Sequence, residues 1–291
     1  MKITNKCGLP ETIVNALKRP TYSKGGAHMS ATELLSPPRM VQLRIANADA
    51  IEMDASDMVW ALFGTAIHGV LEHGKEDGHI VEQRLHTEID GWTISGAIDL
   101  QTVGATDITI SDYKTTGVWA VMNEKKDWEF QLNIYAWLVE RVKKSPVSNL
   151  EIVAIIRDWK RRDSEIKKDY PDAPIKTIPI AVWEDERQDQ FIRDRIHLHA
   201  DAMFQAQTGG SLPLCSDTDM WEKPTTYAVK KIGGVRANKV FYKRADAEAY
   251  LAEVGDKYEL EVRDGERTRC QNYCNVRDFC SQWAEYNGGK E

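Results

Sequence analysis

Two aspartates and one lysine in the segment GAIDLQTVGATDITISDYKTTG have the types and spacing of a metal-dependent catalytic site. Asp99 ends one predicted strand, and Asp112 and Lys114 lie two positions apart near the end of the next. Because side chains alternate along a strand, Asp112 and Lys114 share a face, and a hairpin would bring Asp99 beside them. Two carboxylates at one point favour a hard cation such as Mg²⁺. With a lysine that stabilises charge or orients water, such a site predicts phosphodiester hydrolysis.

Two predicted helices add further polar residues that could join this site. His68 could supply an imidazole ligand from one helix, and Gln131 and Tyr135 share a face of another. Each feature also has an ordinary explanation. Asp112 and Lys114 could be a surface ion pair, while His68 and Tyr135 could serve hydrogen bonding and core packing. The order of these groups along the chain is therefore more informative than any one of them.

Four short motifs occur in a characteristic order. They are G-x-x-x-H ending at His68, G-x-x-D ending at Asp99, D-Y-K-T starting at Asp112 and Q-L-N-I-Y spanning Gln131 and Tyr135. Across about residues 60 to 140, this set resembles the RecB-like branch of the PD-(D/E)xK nuclease superfamily. The chain differs at two positions from the motif that gives the superfamily its name. Ile98 stands in place of proline, and Asp112 stands where many members have glutamate.

The resemblance implies a role for each of these residues. The implied ligands of Mg²⁺ or Mn²⁺ are His68, Asp99, Asp112 and the carbonyl group of Tyr113. Lys114 would be the catalytic lysine, and Gln131 and Tyr135 would contact DNA or support the site. Glu82 would be an additional acidic group. The resemblance thus implies an α/β fold with a mixed central sheet flanked by helices, as in restriction endonucleases.

A second group of potential ligands lies near the carboxy terminus. The sequence RCQNYCNVRDFCSQW contains Cys270, Cys274 and Cys280 in a C-x3-C-x5-C pattern, and Cys215 precedes them. Four thiolates would hold either a tetrahedral zinc ion or an iron–sulfur cluster, and spacing does not separate the two. The surrounding residues are too polar for a plain core segment, which disfavours three buried structural thiols.

Iron–sulfur nucleases of the RecB-like group resemble this chain in having a carboxy-terminal cysteine triplet and one distant cysteine. That resemblance favours a structural [4Fe-4S] cluster on Cys215, Cys270, Cys274 and Cys280, with Zn²⁺ as the alternative. The distant cysteine of those relatives precedes the histidine motif, so Cys7 is an alternative fourth ligand.

The charge of the chain restricts where nucleic acid could bind. The chain has 38 basic and 45 acidic residues and a formal charge of −7, which excludes a uniformly basic coat. DNA binding therefore requires a local basic patch. An acid-free stretch at 223–244 provides Lys230, Lys231, Arg236, Lys239 and Lys243, and a second patch contains Arg157 and Lys160. Nearby aromatic residues that could stack on unpaired bases are Trp159, Tyr227 and Tyr242.

Hydrophobic periodicity predicts the elements that carry these groups. Helices are predicted at 56–74, 127–144 and 184–207, and strands at 80–88, 92–100, 107–114, 150–159 and 176–182. The order α, βββ, α, β, β, α predicts a mixed sheet flanked by helices. The first helix has an apolar stripe, formed by Trp60, Phe63, Ile67, Val70 and Leu71. The Gly233-Gly234 pair divides the acid-free stretch at 223–244 into two halves, which predicts a basic hairpin there.

We divide the chain into three predicted regions. They are an N-terminal helical segment at 1–55, a nuclease core at 56–208, and a region at 209–291 in which the basic hairpin and cysteine cluster dock on the core. No apolar run reaches the roughly 18 residues of a membrane span, and no secretory signal is evident, which predicts a soluble cytoplasmic protein in a bacterium or phage-infected cell.

These features together predict a metal-dependent DNA exonuclease. No Walker A motif is present, so the chain would lack a helicase motor. The tail resembles those of phage and prophage exonuclease-type proteins, which implies a role in recombination or DNA processing, with a single-strand annealing or other recombination protein as a possible partner and an oligomer as a possible state. The alternatives are a CRISPR-associated RecB-like single-strand nuclease, a non-catalytic DNA-binding scaffold and a zinc-stabilised binding module.

Overall fold

The computed structural model describes residues 1–19, 23–123 and 125–288. The chain forms two compact units. The first consists of Met1–Val41 and Glu52–Ser211, and the second of Gln42–Ile51 and Leu212–Glu291. None of the helices described is both long and apolar enough to span a membrane. The predicted three-part division of the chain stays a prediction.

The first unit contains eight strands and most of the helices among the described residues. Its strands are β1 (Lys2–Thr4), β2 (Met29–Ser30), β3 (Glu52–Asp54), β4 (His79–Ile89), β5 (Trp92–Val103), β6 (Ile108–Thr116), β7 (Val147–Ile156) and β8 (Ile175–Ile180). Its helices are α1 (Glu11–Lys18), α2 (Ala31–Leu35), α4 (Val59–Leu71), α5 (Val118–Met122), α6 (Lys126–Lys143), α7 (Arg161–Ile166) and α8 (Asp185–Thr208). Helix α3 (Pro38–Ala46) has residues in both units.

A mixed six-stranded sheet organises the described part of this unit. Strand β5 pairs with β4 along one side and with β2 and β6 along the other, and β7 and β8 follow β6. Strands β6 and β7 are parallel, whereas β4–β5, β5–β6 and β7–β8 are antiparallel. The predicted fold class, a mixed sheet flanked by helices, is confirmed. The predicted strands at 80–88, 92–100, 107–114, 150–159 and 176–182 correspond to β4, β5, β6, β7 and β8.

The turn between β4 and β5 shows why local sequence predicts this hairpin well. Asp90 and Gly91 form the two-residue loop with φ angles of 50° and 77°. Both angles are positive, as a type I′ turn requires, and Asp-Gly is a favoured pair for that turn. Ile89 therefore pairs directly with Trp92, and the register of the whole hairpin follows.

The core of the first unit lies between the sheet and helix α6. Nearly all of α6 from Leu132 to Val139 is buried, and the helix packs against strands β4 to β8. Helices α2 and α8 pack against α6. Gly96 of β5 permits this close approach, because an added Cβ would lie only 2.7 Å from Leu138 Cδ1 and 2.8 Å from Tyr135 Cε1.

The predicted helix with the apolar stripe is present as α4. A 3₁₀ turn at Ala55–Met58, capped by Asp54, leads into the helix, and no residue of α4 is buried. Trp60 is 61% exposed and Phe63 is 39% exposed. Periodicity indicates an apolar face on a helix, but it does not report whether another element covers that face.

The amino-terminal segment that was predicted to be helical contains the helices α1, α2 and α3. Helix α2 follows Ser30, and its capping box joins Ser30 and Glu33. Helix α3 begins at Pro38, where proline is tolerated because the first helical residues need no N–H partner.

The second unit is built around a three-stranded antiparallel sheet. The strands of this unit are β9 (Glu222–Lys223), β10 (Thr226–Lys231), β11 (Ala237–Phe241), β12 (Tyr258–Arg263) and β13 (Glu266–Arg267). The helices of this unit are α9 (Asp217–Met220), α10 (Arg244–Val254), α11 (Thr268–Asn272) and α12 (Ser281–Gly288). The sheet order is β11-β10-β12, and β9 pairs with β13. The predicted hairpin is confirmed as β10 and β11, with Gly233 at a φ of 74° in the turn.

Candidate active site

The first unit contains a small pocket where most of the predicted catalytic residues meet. Its volume is about 190 Å³. Strands β5 and β6 and helices α4 and α6 contribute the predicted members, which are His68, Asp99, Asp112, Lys114, Gln131 and Tyr135. The structure therefore brings together residues that are as much as 67 positions apart in the sequence, counted from His68 to Tyr135.

His68 lies at the centre of a group of potential metal ligands. Its Nδ1 atom is 3.2 Å from Glu82 Oε1 and 3.5 Å from Asp99 Oδ1, and its Nε2 atom is 3.2 Å from the carbonyl oxygen of Tyr113. The carboxylates of Asp99 and Glu82 accept from the ring and raise the pKa of His68 to about 10. Within residues 1–19, 23–123 and 125–288, His68, Glu82 and Asp99 form the one group of three or more His, Cys, Asp or Glu whose ligand atoms lie within 4.8 Å of one another.

Glu82 enters this group because the pairing between β4 and β5 skips its position. Val81 pairs with Leu100 and Gln83 with Ile98, whereas Glu82 and Asp99 between them do not pair. Glu82 also has a φ of 48°, a left-handed conformation that is unusual for a glutamate. Strained backbone of this kind persists where the surrounding structure holds it, and it is concentrated at functional sites. The resemblance had given Glu82 only a supporting position.

Asp99 connects β5 and β6 just beyond the residues at which the two strands pair. The ladder between these strands includes Leu100 and Ser111, and beyond it Asp99 Oδ2 accepts a 2.8 Å hydrogen bond from the backbone N–H of Tyr113. This bond orients the Asp99 carboxylate while its other oxygen faces His68.

Asp112 and Lys114 form an ion pair inside the same pocket. The Asp112 carboxylate is 1% exposed, and its Oδ2 atom lies 2.7 Å from Lys114 Nζ. Burial raises the pKa of Asp112 to about 6, the positive charge of Lys114 opposes this increase, and the negative charge of Asp99 adds to it. Despite the short distance, Oδ2 receives no well-aligned hydrogen bond from the described residues.

The donor set of this pocket fits a divalent cation. It combines one imidazole nitrogen with several carboxylate oxygens, and oxygen ligands of this kind suit Mg²⁺ or Mn²⁺. The Oδ2 atom of Asp112 is buried and lies 2.7 Å from Lys114 Nζ, so a cation would share this oxygen with the ammonium group. A cation there would also offset the negative charge of Asp99 and Glu82.

Helix α6 and the amino-terminal segment complete the pocket wall. Gln131 Nε2 donates a 2.7 Å hydrogen bond to Tyr135 Oη, so the two residues act as one polar edge. Ser30 and Thr32 also line the pocket. Sequence reasoning did not find Ser30, because the parallel pairing of β2 with β5, which joins Ser30 to Ser95, leaves no local signal.

The predicted DNA contacts outside the pocket occupy different environments. Arg157 and Lys160 are exposed just after β7. On the hairpin of the second unit, Lys230 forms ion pairs with Glu259 and Glu261 of β12, so part of its charge is already matched. The cations exposed on that hairpin are Lys231, Arg236, Lys239 and Lys243.

The second unit contains Cys215, Cys270, Cys274 and Cys280, and all four are partly buried. Burial and the neighbouring thiols, Cys274 and Cys280, raise the pKa of Cys270, and burial likewise raises that of Cys274. Cys215 is held near this segment by two 2.9 Å hydrogen bonds between its backbone and the Gln282 side chain. Cys7, the alternative fourth ligand, is exposed and belongs to the first unit.

Comparisons with known proteins indicate the family of this chain. The family model of the PD-(D/E)XK nuclease superfamily matches residues 72–281. No curated protein matches the sequence. Among solved structures, the crystal structure of SSO0001 is 18% identical with a TM-score of 0.43, covering 65% of this chain and 83% of that one. A protein named "Putative exonuclease" from Eubacterium rectale is 13% identical with a TM-score of 0.29, covering 70% and 75% of the two chains.

Both TM-scores are below 0.5, so the assignment rests on the family match. That match extends over most of the chain and includes Asp99, Asp112 and Lys114. The chain belongs to the PD-(D/E)XK nuclease superfamily.

Proposed function

We propose that this protein is a DNA exonuclease of the RecB-like branch that requires Mg²⁺ or Mn²⁺. The observation that supports this most directly is the arrangement of the pocket. Lys114 and Asp112 lie 2.7 Å apart, and the His68, Glu82 and Asp99 ligand atoms lie within 4.8 Å of one another. All five residues except Glu82 line one cavity of about 190 Å³.

The residues of the pocket have distinct tasks in this proposal. His68, Glu82, Asp99 and Asp112 would hold the cation, with the Tyr113 carbonyl as a further ligand. When bound, the cation polarises the scissile phosphate and lowers the pKa of a water ligand. Lys114 places its ammonium group beside this site, where it orients the attacking water and stabilises the negative charge that develops on the phosphate. Gln131 and Tyr135 contact the DNA strand.

Degradation of end-labelled linear DNA in Mg²⁺ tests this function. Wild type should degrade the DNA, whereas Lys114→Ala should be slower by a factor of about 10²–10³, the usual cost of removing one charge-stabilising group. The matched control is Lys176→Ala, because Lys176 is exposed on β8 and does not line the pocket. Equal degradation by wild type and Lys114→Ala would refute the assignment.

The DNA substrate itself separates an exonuclease from an endonuclease. A covalently closed circle has no ends, so it should survive under conditions in which the linear form is degraded. Rapid cleavage of the circle, with the same dependence on Lys114, would instead assign an endonuclease. Strong preference for single strands together with dependence on an integrase would favour the CRISPR-associated alternative.

We also propose a structural [4Fe-4S] cluster in the second unit. Its ligands would be Cys215, Cys270, Cys274 and Cys280. The neighbouring thiols Cys274 and Cys280 help to raise the pKa of Cys270, and Cys215 is held near this segment through Gln282. Anaerobic purification followed by absorbance near ~400 nm and by iron and sulfide analysis tests the cluster. Cys274→Ser should lose the absorbance and Cys7→Ser should keep it. A colourless protein with one zinc ion per chain would support Zn²⁺ instead.

The cellular role that we propose is phage-type recombination or DNA processing in the cytoplasm. A single-strand annealing or other recombination protein is the proposed partner. The exposed cations Lys231, Arg236, Lys239 and Lys243 are available to bind the DNA backbone. Copurification with such a partner encoded nearby tests this role. Simultaneous charge reversal of the hairpin should abolish copurification if DNA bridges the two proteins. Copurification that survives the charge reversal would indicate direct contact.

A further inference from the structure

The helix that carries His68 also presents two aromatic rings to solvent. Trp60 is 61% exposed and Phe63 is 39% exposed on α4, and their ring centroids lie 6.4 Å apart in an edge-to-face arrangement. Large apolar side chains exposed together in this way commonly mark an interaction surface. Trp159, the tryptophan that the sequence had suggested for base stacking, instead packs against a small buried cluster and donates through Nε1 to the carbonyl of Pro171.

A cation accompanies this aromatic pair. The guanidinium carbon of Arg157 lies 4.2 Å from the centroid of the Trp60 ring. The segment from Arg157 to Arg162 contains four basic residues and only one acid, Asp158, which gives it a charge of +3. The carboxylate of Asp158 already accepts a hydrogen bond from the backbone of Val118. Aromatic rings beside an excess of positive charge are the combination that binds unpaired nucleic-acid strands.

Backbone contacts fix this surface relative to the catalytic pocket. The backbone N–H of Arg157 donates a 2.8 Å hydrogen bond to the carbonyl of Thr116, which lies two residues beyond Lys114 on β6. Gly64, between Phe63 and His68, approaches β6 so closely that an added Cβ would lie 3.4 Å from Thr115 Oγ1. Both the aromatic pair and Arg157 are therefore attached to the strand that carries the catalytic lysine.

The separation along α4 matches a short length of DNA strand. Trp60 precedes His68 by eight residues, which corresponds to about 12 Å at the 1.5 Å rise of an α-helix. A stacked strand advances 3.4 Å per nucleotide, so about three or four nucleotides span this distance. A base stacked on Trp60 would lie that far from a phosphate held at His68.

We propose that Trp60 and Phe63, with Arg157 beside them, form a stacking platform for an unpaired base of the substrate strand, about three or four nucleotides from the phosphate in the catalytic pocket. This inference deepens the proposed exonuclease function and rests on it for the identity of the substrate. It specifies that the strand is single at this point, because only an unpaired base offers its face to a ring.

Other occupants agree less well with these features. Two rings offer far less area than the roughly 1,000 Å² that a stable protein interface needs. A twofold contact with a second copy would place the same positively charged segment of both chains together, which like-charge repulsion opposes.

Abasic scanning of a bound oligonucleotide tests the platform directly. Affinity for a short fluorescein-labelled single strand is measured by anisotropy in EDTA, so that the strand stays intact, and the measurement is repeated with one abasic nucleotide at each position in turn. Wild type should lose about 5- to 150-fold in affinity when the missing base is the stacked one. Trp60→Ala should bind every strand that keeps this base more weakly by the same factor, should bind the strand that lacks it as wild type does, and should therefore no longer distinguish the abasic position.

Three further variants separate stacking from other effects. Trp60→Phe should retain most of the abasic discrimination because it keeps a ring, whereas Trp60→Leu, which is apolar without a ring, should behave like Trp60→Ala. The matched control is Phe204→Ala, which removes another exposed aromatic side chain from α8, a helix that does not line the pocket. It should bind like wild type. All of these residues are exposed, so the variants should fold.

The outcomes distinguish this inference from the function on which it rests. If Lys114-dependent degradation is observed but Trp60→Ala keeps both wild-type affinity and the abasic discrimination, the platform is refuted and the exonuclease remains. If degradation does not depend on Lys114 but the abasic penalty disappears in Trp60→Ala, the binding platform stands and the catalytic assignment fails. A dimer that dissociates in Trp60→Ala with unchanged DNA affinity would assign this face to self-association and overturn the inference.

Discussion

Replacing the buried Asp112 by asparagine should stabilise the metal-free protein while it removes DNA cleavage. Asp112 is 1% exposed, and burial raises its pKa from the ordinary value of 3.8 to about 6 even though Lys114 lies 2.7 Å away. Above pH 6 the folded protein therefore holds a carboxylate in an environment that favours the protonated form. Asparagine has nearly the same shape and carries no charge, so it avoids this cost.

The magnitude follows from the difference between the folded and unfolded pKa values. The unfolded chain releases this proton near pH 4 and the folded chain near pH 6, so the folded state binds more protons between these values. The free energy of unfolding contributed by Asp112 consequently falls as pH rises through this range. A difference of about two pH units, at 1.36 kcal/mol each, amounts to about 3 kcal/mol at neutral pH.

Urea denaturation of wild type and Asp112→Asn in EDTA, at a series of pH values, measures this effect. The difference in unfolding free energy should be small near pH 4 and should approach about 3 kcal/mol in favour of the variant above pH 6. The control is Asp90→Asn, which removes an exposed ion pair with Arg193 and should cost only about 0–1 kcal/mol at every pH.

Added Mg²⁺ should remove most of this difference in stability. A ligand that binds only the folded state at 100 times its Kd stabilises that state by about 2.7 kcal/mol, and wild type should gain this amount. Asp112→Asn should gain much less and should not degrade DNA. The reasoning is refuted if the variant is no more stable than wild type in EDTA at pH 7, or if the difference between them does not change between pH 4 and 6.

Two further predictions concern packing and a buried histidine. Gly96→Ala should lower the unfolding free energy by about 1–3 kcal/mol and slow DNA cleavage, because the new methyl group would press on Tyr135 and Leu138; unchanged thermal stability would contradict this packing argument. Burial lowers the pKa of His199 from 6.5 to about 4, and its Nε2 atom lies 3.1 Å from the Leu34 carbonyl oxygen. Since the unfolded chain binds the proton first, stability should fall by about 3 kcal/mol as pH drops from 6.5 to 4, and His199→Gln, which keeps a donor for Leu34, should abolish this dependence in urea titrations.

His199 and Asp112 affect stability in opposite directions over nearly the same pH range. The contribution of Asp112 decreases as pH rises from about 4 to 6, whereas that of His199 increases from about 4 to 6.5. The two contributions therefore oppose each other over this range in wild type, and the single variants reveal each titration separately.

Several features of this protein could be predicted from sequence because their causes are local. The alternation and turn residues around Asp90 and Gly91 defined the β4–β5 hairpin, and the helical periodicity from Trp128 onward defined α6. The two-residue spacing of Asp112 and Lys114 placed them on one face, where the structure shows an ion pair. The motif order indicated the superfamily to which the family match then assigned the chain.

Only the tertiary structure decided which distant residues meet and which faces stay exposed. Three features depend on contacts between remote segments. The pairing of β4 with β5 skips Glu82, which lies beside His68; the parallel pairing of β2 with β5 brings Ser30 to the pocket; and glutamates of β12 lie beside Lys230. The exposure of Trp60 has the same origin. Periodicity, spacing and turn chemistry are properties of neighbouring residues, whereas burial and charge pairing depend on whichever remote segment the folded chain places alongside, and a single sequence does not encode that locally.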